Sequence, residues 1–92
     1  MLIVAYDISD DKVRTHFSTF LKKFGHRLQY SVFEIKNSKR ILNAVIAEIK
    51  HRYKKQFTGS DSVMIIQLSD TSRDKILKFG YAKNMDDDIL FL

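Results

Sequence analysis

Gly25-His26-Arg27-Leu28-Gln29-Tyr30-Ser31-Val32-Phe33-Glu34-Ile35-Lys36 is the stretch whose reading decides the fold. From His26 to Lys36 it is β-rich, with Leu28, Tyr30, Val32 and Phe33 prominent. It reads as one strand, or as two short strands meeting at Ser31. Side chains alternate between the faces of a strand, so Leu28, Tyr30 and Val32 share one face while Phe33 and Ile35 fall on the other. A bend or bulge near Ser31 brings both sets to the core, which favours two strands.

Upstream, Gly25 has the position of a C′ glycine that ends a helix. That helix shows in Val13, Phe17, Phe20, Leu21 and Phe24, which recur at helical spacing. Ser9, Asp10 and Asp11 supply N-cap chemistry and negative charge at its start. Before them, Leu2 to Ile8 is a run rich in Ile, Val and Tyr, expected as a buried strand.

Downstream, Asn37 or Ser38 caps a second, longer helix. Its apolar stripe is Ile41, Leu42, Val45, Ile46, Ile49 and Tyr53, and its other face carries Lys39, Arg40, Lys50, Arg52, Lys54 and Lys55. Thr58 to Asp61 is a turn around Gly59, and Ser62 to Leu68 is another buried strand. Lys75 to Phe79 fits a strand or one helical turn. Asp86 to Asp88 make an acidic turn, and Ile89 to Leu92 a short terminal strand. The order βαββαβ plus an extra strand predicts one α+β domain over residues 1–92. Its antiparallel sheet carries both helices on one face, the ferredoxin-like arrangement, with the C-terminal strand near 88–92 exchanged with or packed on a partner.

With 92 residues the core is thin, and pairing with a second copy would bury more. Apolar residues at 45% and charged residues at 29% exclude a disordered chain. There is no cysteine, which excludes disulfides, thiolate metal sites and a cysteine nucleophile. The apolar start is cut short by Asp7, and no stretch approaches the length of a membrane span, so a cytoplasmic protein without membrane contact is expected. The net charge of +5 divides unevenly. Residues 1–57 hold 12 Lys/Arg against 5 Asp/Glu, or +7; residues 58–92 hold 4 against 6, or −2. A basic body with a pI near 9.6 suits a polyanionic partner.

Tyr6-Asp7-Ile8-Ser9-Asp10-Asp11, then Arg14, then Gly25-His26-Arg27-Leu28-Gln29-Tyr30-Ser31-Val32-Phe33-Glu34 together resemble the Cas-two family of CRISPR-associated proteins. The match is dense over about the first 37 residues and thins beyond them. The resemblance implies a ferredoxin-like homodimer acting in CRISPR adaptation, the acquisition of new spacers. The dimer would sit between copies of the CRISPR integrase and hold duplex DNA. It also implies a metal-dependent endonuclease on DNA or single-stranded RNA, with Mg²⁺, or Mn²⁺ in its place, as cofactor.

Asp7 is the catalytic and metal candidate. A single Asp is a poor Mg²⁺ site, because the ion takes about six oxygens. A two-fold axis changes that: two Asp7 side chains, waters and a phosphate complete the shell. The resemblance places the family's proposed metal aspartate at this position. Asp10 and Asp11 read as helix-capping charges, and Tyr6, pointing opposite to Asp7, as core.

Arg14 and Arg27 match basic positions of the family and are candidate phosphate contacts. His16 stands where other members of the family often carry arginine. Lys50, Arg52, Lys54 and Lys55 form a second candidate nucleic-acid surface, or simply complement the helix dipole. Phe33 matches a family aromatic near the dimer centre, with a plain core role as the alternative. Ile89, Leu90, Phe91 and Leu92 form an apolar run at a chain end, expected to pair with a partner's sheet or with the integrase. The alternative functional reading is a VapD-type ribonuclease toxin of the same fold, against which the QYSVFE segment speaks. A ferredoxin-like small-molecule sensor fits the basic body less well.

Overall fold

The computed structural model describes residues 1–68 and 89–91, the last three as backbone only. The expected features at Lys75 to Phe79, at Asp86 to Asp88 and at Leu92 lie outside the described residues. The elements run β1 (Leu2–Asp7), α1 (Asp11–Leu21), β2 (Gly25–Gln29), β3 (Val32–Ile35), α2 (Lys39–Glu48), β4 (Ser62–Gln67) and β5 (Ile89–Phe91). The sheet order is β2-β3-β1-β4-β5 and every neighbouring pair is antiparallel. Its first four strands with the two helices make the expected ferredoxin-like α+β unit, and β5 extends the sheet beyond β4.

β1 is central and buried on both faces, which is why its sequence is almost continuously apolar. Leu2, Val4 and Tyr6 enter the main core with Phe33, Ile35, Val63 and Ile65 from the neighbouring strands. Phe17, Leu21, Val45, Ile49 and Tyr53 of the helical layer cover them. Phe17 is fully buried and meets Tyr6 and Tyr53 edge-on, with ring centres 5.1 and 4.9 Å apart. Truncating such a ring to Ala costs about 3–5 kcal/mol. On the opposite face Met1, Ile3 and Ile66 form a second, smaller cluster with Leu28, Val32 and Leu68 against it.

The β-rich segment is two strands, joined by the Tyr30–Ser31 turn, with a register shift between Arg27 and Gln29. The bulge does not bring both sets of side chains to one core, however. Phe33 and Ile35 enter the main core, Leu28 and Val32 join the cluster on the other face, and Tyr30 is 70% exposed. A sheet with apolar contacts on both faces accepts either parity.

Gly25 also plays a different part from the expected C′ glycine. α1 ends at Leu21, with Lys22 as a right-handed cap, and Gly25 is already the first residue of β2, paired with Ile35. Glycine is needed there because a Cβ would stand 1.9 Å from the Glu34 carbonyl oxygen. Gly59, at φ 58°, is the described glycine in the left-handed region.

Of the two possible caps for α2, Ser38 is the one used; its hydroxyl accepts the Ile41 N–H at 3.4 Å. The long second helix changes its pitch after Glu48. Ile49–Tyr53 is a π-helical turn and Lys54–Gln56 a 3-10 turn. Val45, Ile49 and Tyr53 are all buried at a strict spacing of four. An α-helix has about 3.6 residues per turn, so that spacing drifts off the core face. The wider π turn returns Ile49 and Tyr53 to one line.

Among the described residues no helix is long and apolar enough to cross a membrane.

Candidate nucleic-acid and metal site

One end of the sheet collects the chemistry. β1 ends at Asp7, which pairs with Ser62 at the start of β4. On its other side the Tyr6 N–H donates to the Ser31 carbonyl at 3.1 Å, which sets the β2–β3 turn beside the end of β1. Alternation turns Tyr6 into the helix-side core and Asp7 to the opposite face, where it is exposed. Asp7 makes no side-chain hydrogen bond or ion pair with the described residues. Toward those residues its carboxylate stands unpaired at the rim.

Three residues separate β1 from α1, and the last of them, Asp10, caps the helix: its carboxylate accepts the Val13 N–H at 2.9 Å. The cap orients the first turn so that Arg14 folds back over the β1–α1 loop. Its Nη1 donates to the Ile8 carbonyl at 2.9 Å, and its Nη2 pairs with Asp11. The hydrogen bond to Asp11 pushes the Arg14 pKa further up. Asp10 and Asp11 thus serve the helix and its arginine.

Arg27 reaches the same end from β2. Its Nη1 donates to the Tyr30 carbonyl at 2.7 Å, and its guanidinium carbon lies 5.1 Å from the centre of the Phe33 ring. Phe33 is wholly buried and stacks on Tyr6 at 6.3 Å. Its side chain takes the core role, and Arg27 is the group that it presents outward. Burial raises the Tyr6 phenol's pKa, against a smaller opposing effect of Arg27, so the hydroxyl stays protonated at neutral pH and offers no base.

The basic face of the second helix ends at this edge too. Thr58, two residues past the 3-10 turn, approaches Ser9 with its hydroxyl at 3.5 Å. Asp61 locks the contact, accepting the Ser9 N–H at 3.0 Å, the Ser9 hydroxyl at 2.9 Å and the Thr58 N–H at 2.9 Å. These hydrogen bonds, that from Thr58 first, hold the Asp61 pKa below its usual value. Lys50, Lys54 and Lys55 are exposed. Arg52 is partly engaged, 3.9 Å from Glu48 and over the Tyr53 ring at 5.7 Å. His16 is exposed, and its carbonyl accepts the Tyr53 hydroxyl at 3.4 Å.

The structure thus gathers Asp7, Arg14 and Arg27 at one end and brings the Lys54–Lys55 segment within one loop of them. The Ile89–Phe91 backbone lies elsewhere, along β4, pairing Ile66 with Ile89 and Met64 with Phe91 in the same chain. Two features were missed in the sequence. Asp61 is a lone Asp in a turn, and only its partner 52 residues away reveals it. Tyr30 reads as one of the apolar β residues in the sequence, yet it is exposed.

Among the described residues Asp7 has no companion ligands in its own chain. Among the described residues no three His, Asp or Glu side chains gather to hold an ion. A free carboxylate at an exposed rim suits a site shared between two copies and filled out by water and phosphate oxygens.

The family model for CRISPR associated protein Cas2 matches residues 1–76. CRISPR-associated endoribonuclease Cas2 3 of Synechocystis sp. is 35% identical over 69 residues, covering 75% of this chain and 72% of the relative. CRISPR-associated endoribonuclease Cas2 2 of Methanospirillum hungatei is 32% identical over 80 residues, covering 86% and 84%. The crystal structure of Streptococcus pyogenes Cas2 superposes with a TM-score of 0.65 at 23% identity, over 86% of this chain and 98% of that one, and shares the fold. With the family model matching most of its length and both relatives above 30% identity, the chain belongs to the Cas2 family of CRISPR-associated proteins.

Proposed function

We propose that this chain works as a homodimer in CRISPR adaptation, bridging copies of the CRISPR integrase and gripping duplex DNA by charge. We assign the Asp7 end of the sheet as a second, separable activity, phosphodiester cleavage of DNA or single-stranded RNA. The observation that carries the reading is that an exposed carboxylate, unpaired among the described residues, and two arginines, each held by a backbone carbonyl, lie at the same end of the sheet. Arg14 and Arg27 are held before any ligand arrives, so little side-chain freedom is lost when they meet phosphate. Lys50, Lys54 and Lys55 add contacts indifferent to sequence. The endoribonuclease names of the relatives support the cleavage activity for the family. Mg²⁺, or Mn²⁺, held between two Asp7 carboxylates would neutralise charge on the scissile phosphate and orient a water.

Light scattering tests the architectural part. The protein alone should have the mass of two chains, and mixing with duplex DNA and the integrase of the same organism should give one larger complex. A monomer that binds neither contradicts the proposal.

A further inference from the structure

Tyr30 is the exposed large hydrophobic side chain of the described residues, at 70%, and it stands where the proposed site has its cations. The other described tyrosines, Tyr6 and Tyr53, are buried in the core. Tyr30 is set at the tip of the β2–β3 hairpin by two arginines. The Arg14 guanidinium carbon lies 5.9 Å from its ring centre, and Arg27 Nη1 holds its carbonyl at 2.7 Å. Ring and backbone are thus both restrained while most of the side chain faces water.

A flat aromatic ring beside guanidinium groups is the arrangement that binds unpaired bases. The ring stacks on the base, the arginines take the flanking phosphates, and no base identity is read because every base has a π-face. A base inside a duplex is already stacked on its neighbours and cannot use such a platform. We infer that Tyr30 is a stacking platform for an unpaired nucleobase, so that the Asp7 end of the sheet engages single-stranded or frayed nucleic acid while the wider basic surface grips duplex. This deepens the proposed function and rests on it for the position of the phosphates. DNA and RNA share the recognised chemistry, the face of an unpaired base.

The test compares the full-length protein with its Tyr30→Phe, Tyr30→Leu and Tyr30→Ala variants. The ligands are a single-stranded DNA and a single-stranded RNA of about 12 nucleotides and a blunt duplex of matched phosphate number, all at one salt concentration. Tyr30→Ala and Tyr30→Leu should bind the single strands about tenfold to a hundredfold more weakly, and Tyr30→Phe should bind them like wild type. Duplex affinity should change little in all three. The single strands should also quench the intrinsic tyrosine fluorescence of the wild type more than that of Tyr30→Ala. Loss on either strand supports the inference, and the DNA and RNA arms show which is engaged.

Full single-strand affinity in Tyr30→Ala overturns it, as does equal loss on single strand and duplex. Retained affinity in Tyr30→Leu overturns it too, because apolar bulk without a π-face would then suffice. A change of oligomeric mass in Tyr30→Ala makes the ring a contact between copies and overturns it likewise. Duplex affinity of Arg27→Ala reports on the underlying proposal separately, since that arginine meets phosphate whether or not a base is stacked.

Discussion

The Asp61 carboxylate accepts both the N–H and the hydroxyl of Ser9, at 3.0 and 2.9 Å, across 52 positions of sequence. Through its other oxygen it also accepts the Thr58 N–H. One side chain thereby ties the loop after the basic helix to the loop that follows Asp7. These hydrogen bonds hold its pKa below the usual carboxylate value. A depressed carboxylate contributes stability above its unfolded-state pKa and loses it as the pH falls through the folded-state value. Thermal unfolding between about pH 7 and pH 2 should therefore show Asp61→Asn less stable than wild type at neutral pH, with the gap closing in acid. Parallel melting curves across that range would mean that the latch carries no charge-dependent stability.

The two described glycines should respond differently to alanine. Gly25→Ala drives a Cβ into the Glu34 carbonyl, a backbone atom that cannot step aside, and should cost about 1–3 kcal/mol or more. Gly59→Ala meets open space but must keep a φ of 58°, and should cost about 1–2 kcal/mol, with Gly59→Asn milder. Denaturant unfolding of the three variants checks this. Equal, small losses would show that β2 can shift away from β3 at Gly25.

What was legible in the sequence was local. The run of Leu2 to Ile8, the Asp10 and Ser38 caps and the helical stripes each lie within a few residues and report their own structure. Asp7 and the two arginines stood out by residue type and by resemblance. Features set by distant partners were not legible. The role of Gly25 depends on Glu34 across the ladder, and that of Asp61 on Ser9. The π turn at Ile49–Tyr53 depends on what the stripe must cover, Phe17 and Phe20 of the other helix. The side taken by Leu28 and Val32 depended on there being a second apolar face, which alternation alone does not announce.

Duplex binding should weaken steeply with salt and be indifferent to sequence. Each cation that meets a phosphate contributes about 0.9 to the slope of log affinity against log salt. Arg27→Ala should lower the slope by about 0.9, and the Lys54/Lys55 double Ala by about 1.8. Titrations at several salt concentrations measure it. An unchanged slope would remove those residues from the DNA surface.

The Ile89–Phe91 backbone pairs with Met64 to Ile66 of β4, at the margin of the sheet. A short apolar strand at the margin of a sheet is suited to pairing with a second copy or a partner protein. Deleting residues 89–92 should weaken dimerisation or integrase capture while leaving far-UV circular dichroism nearly unchanged. A truncated chain that stays a dimer and still captures the integrase would reduce the tail to surplus packing.

The most direct measurement of the site at the end of β1 is Asp7→Asn, assayed for cleavage and for duplex binding in the same preparation. Asn keeps the shape of the side chain and removes the charge. Because Asp7 is exposed and pairs with no described side chain, stability should change by no more than about 0.5 kcal/mol. The account predicts that metal-dependent cleavage falls to background while the folded protein still binds duplex through Arg14, Arg27 and the lysines. Cleavage undiminished in a purified, folded Asp7→Asn protein would contradict it and take the chemistry away from this end of the sheet.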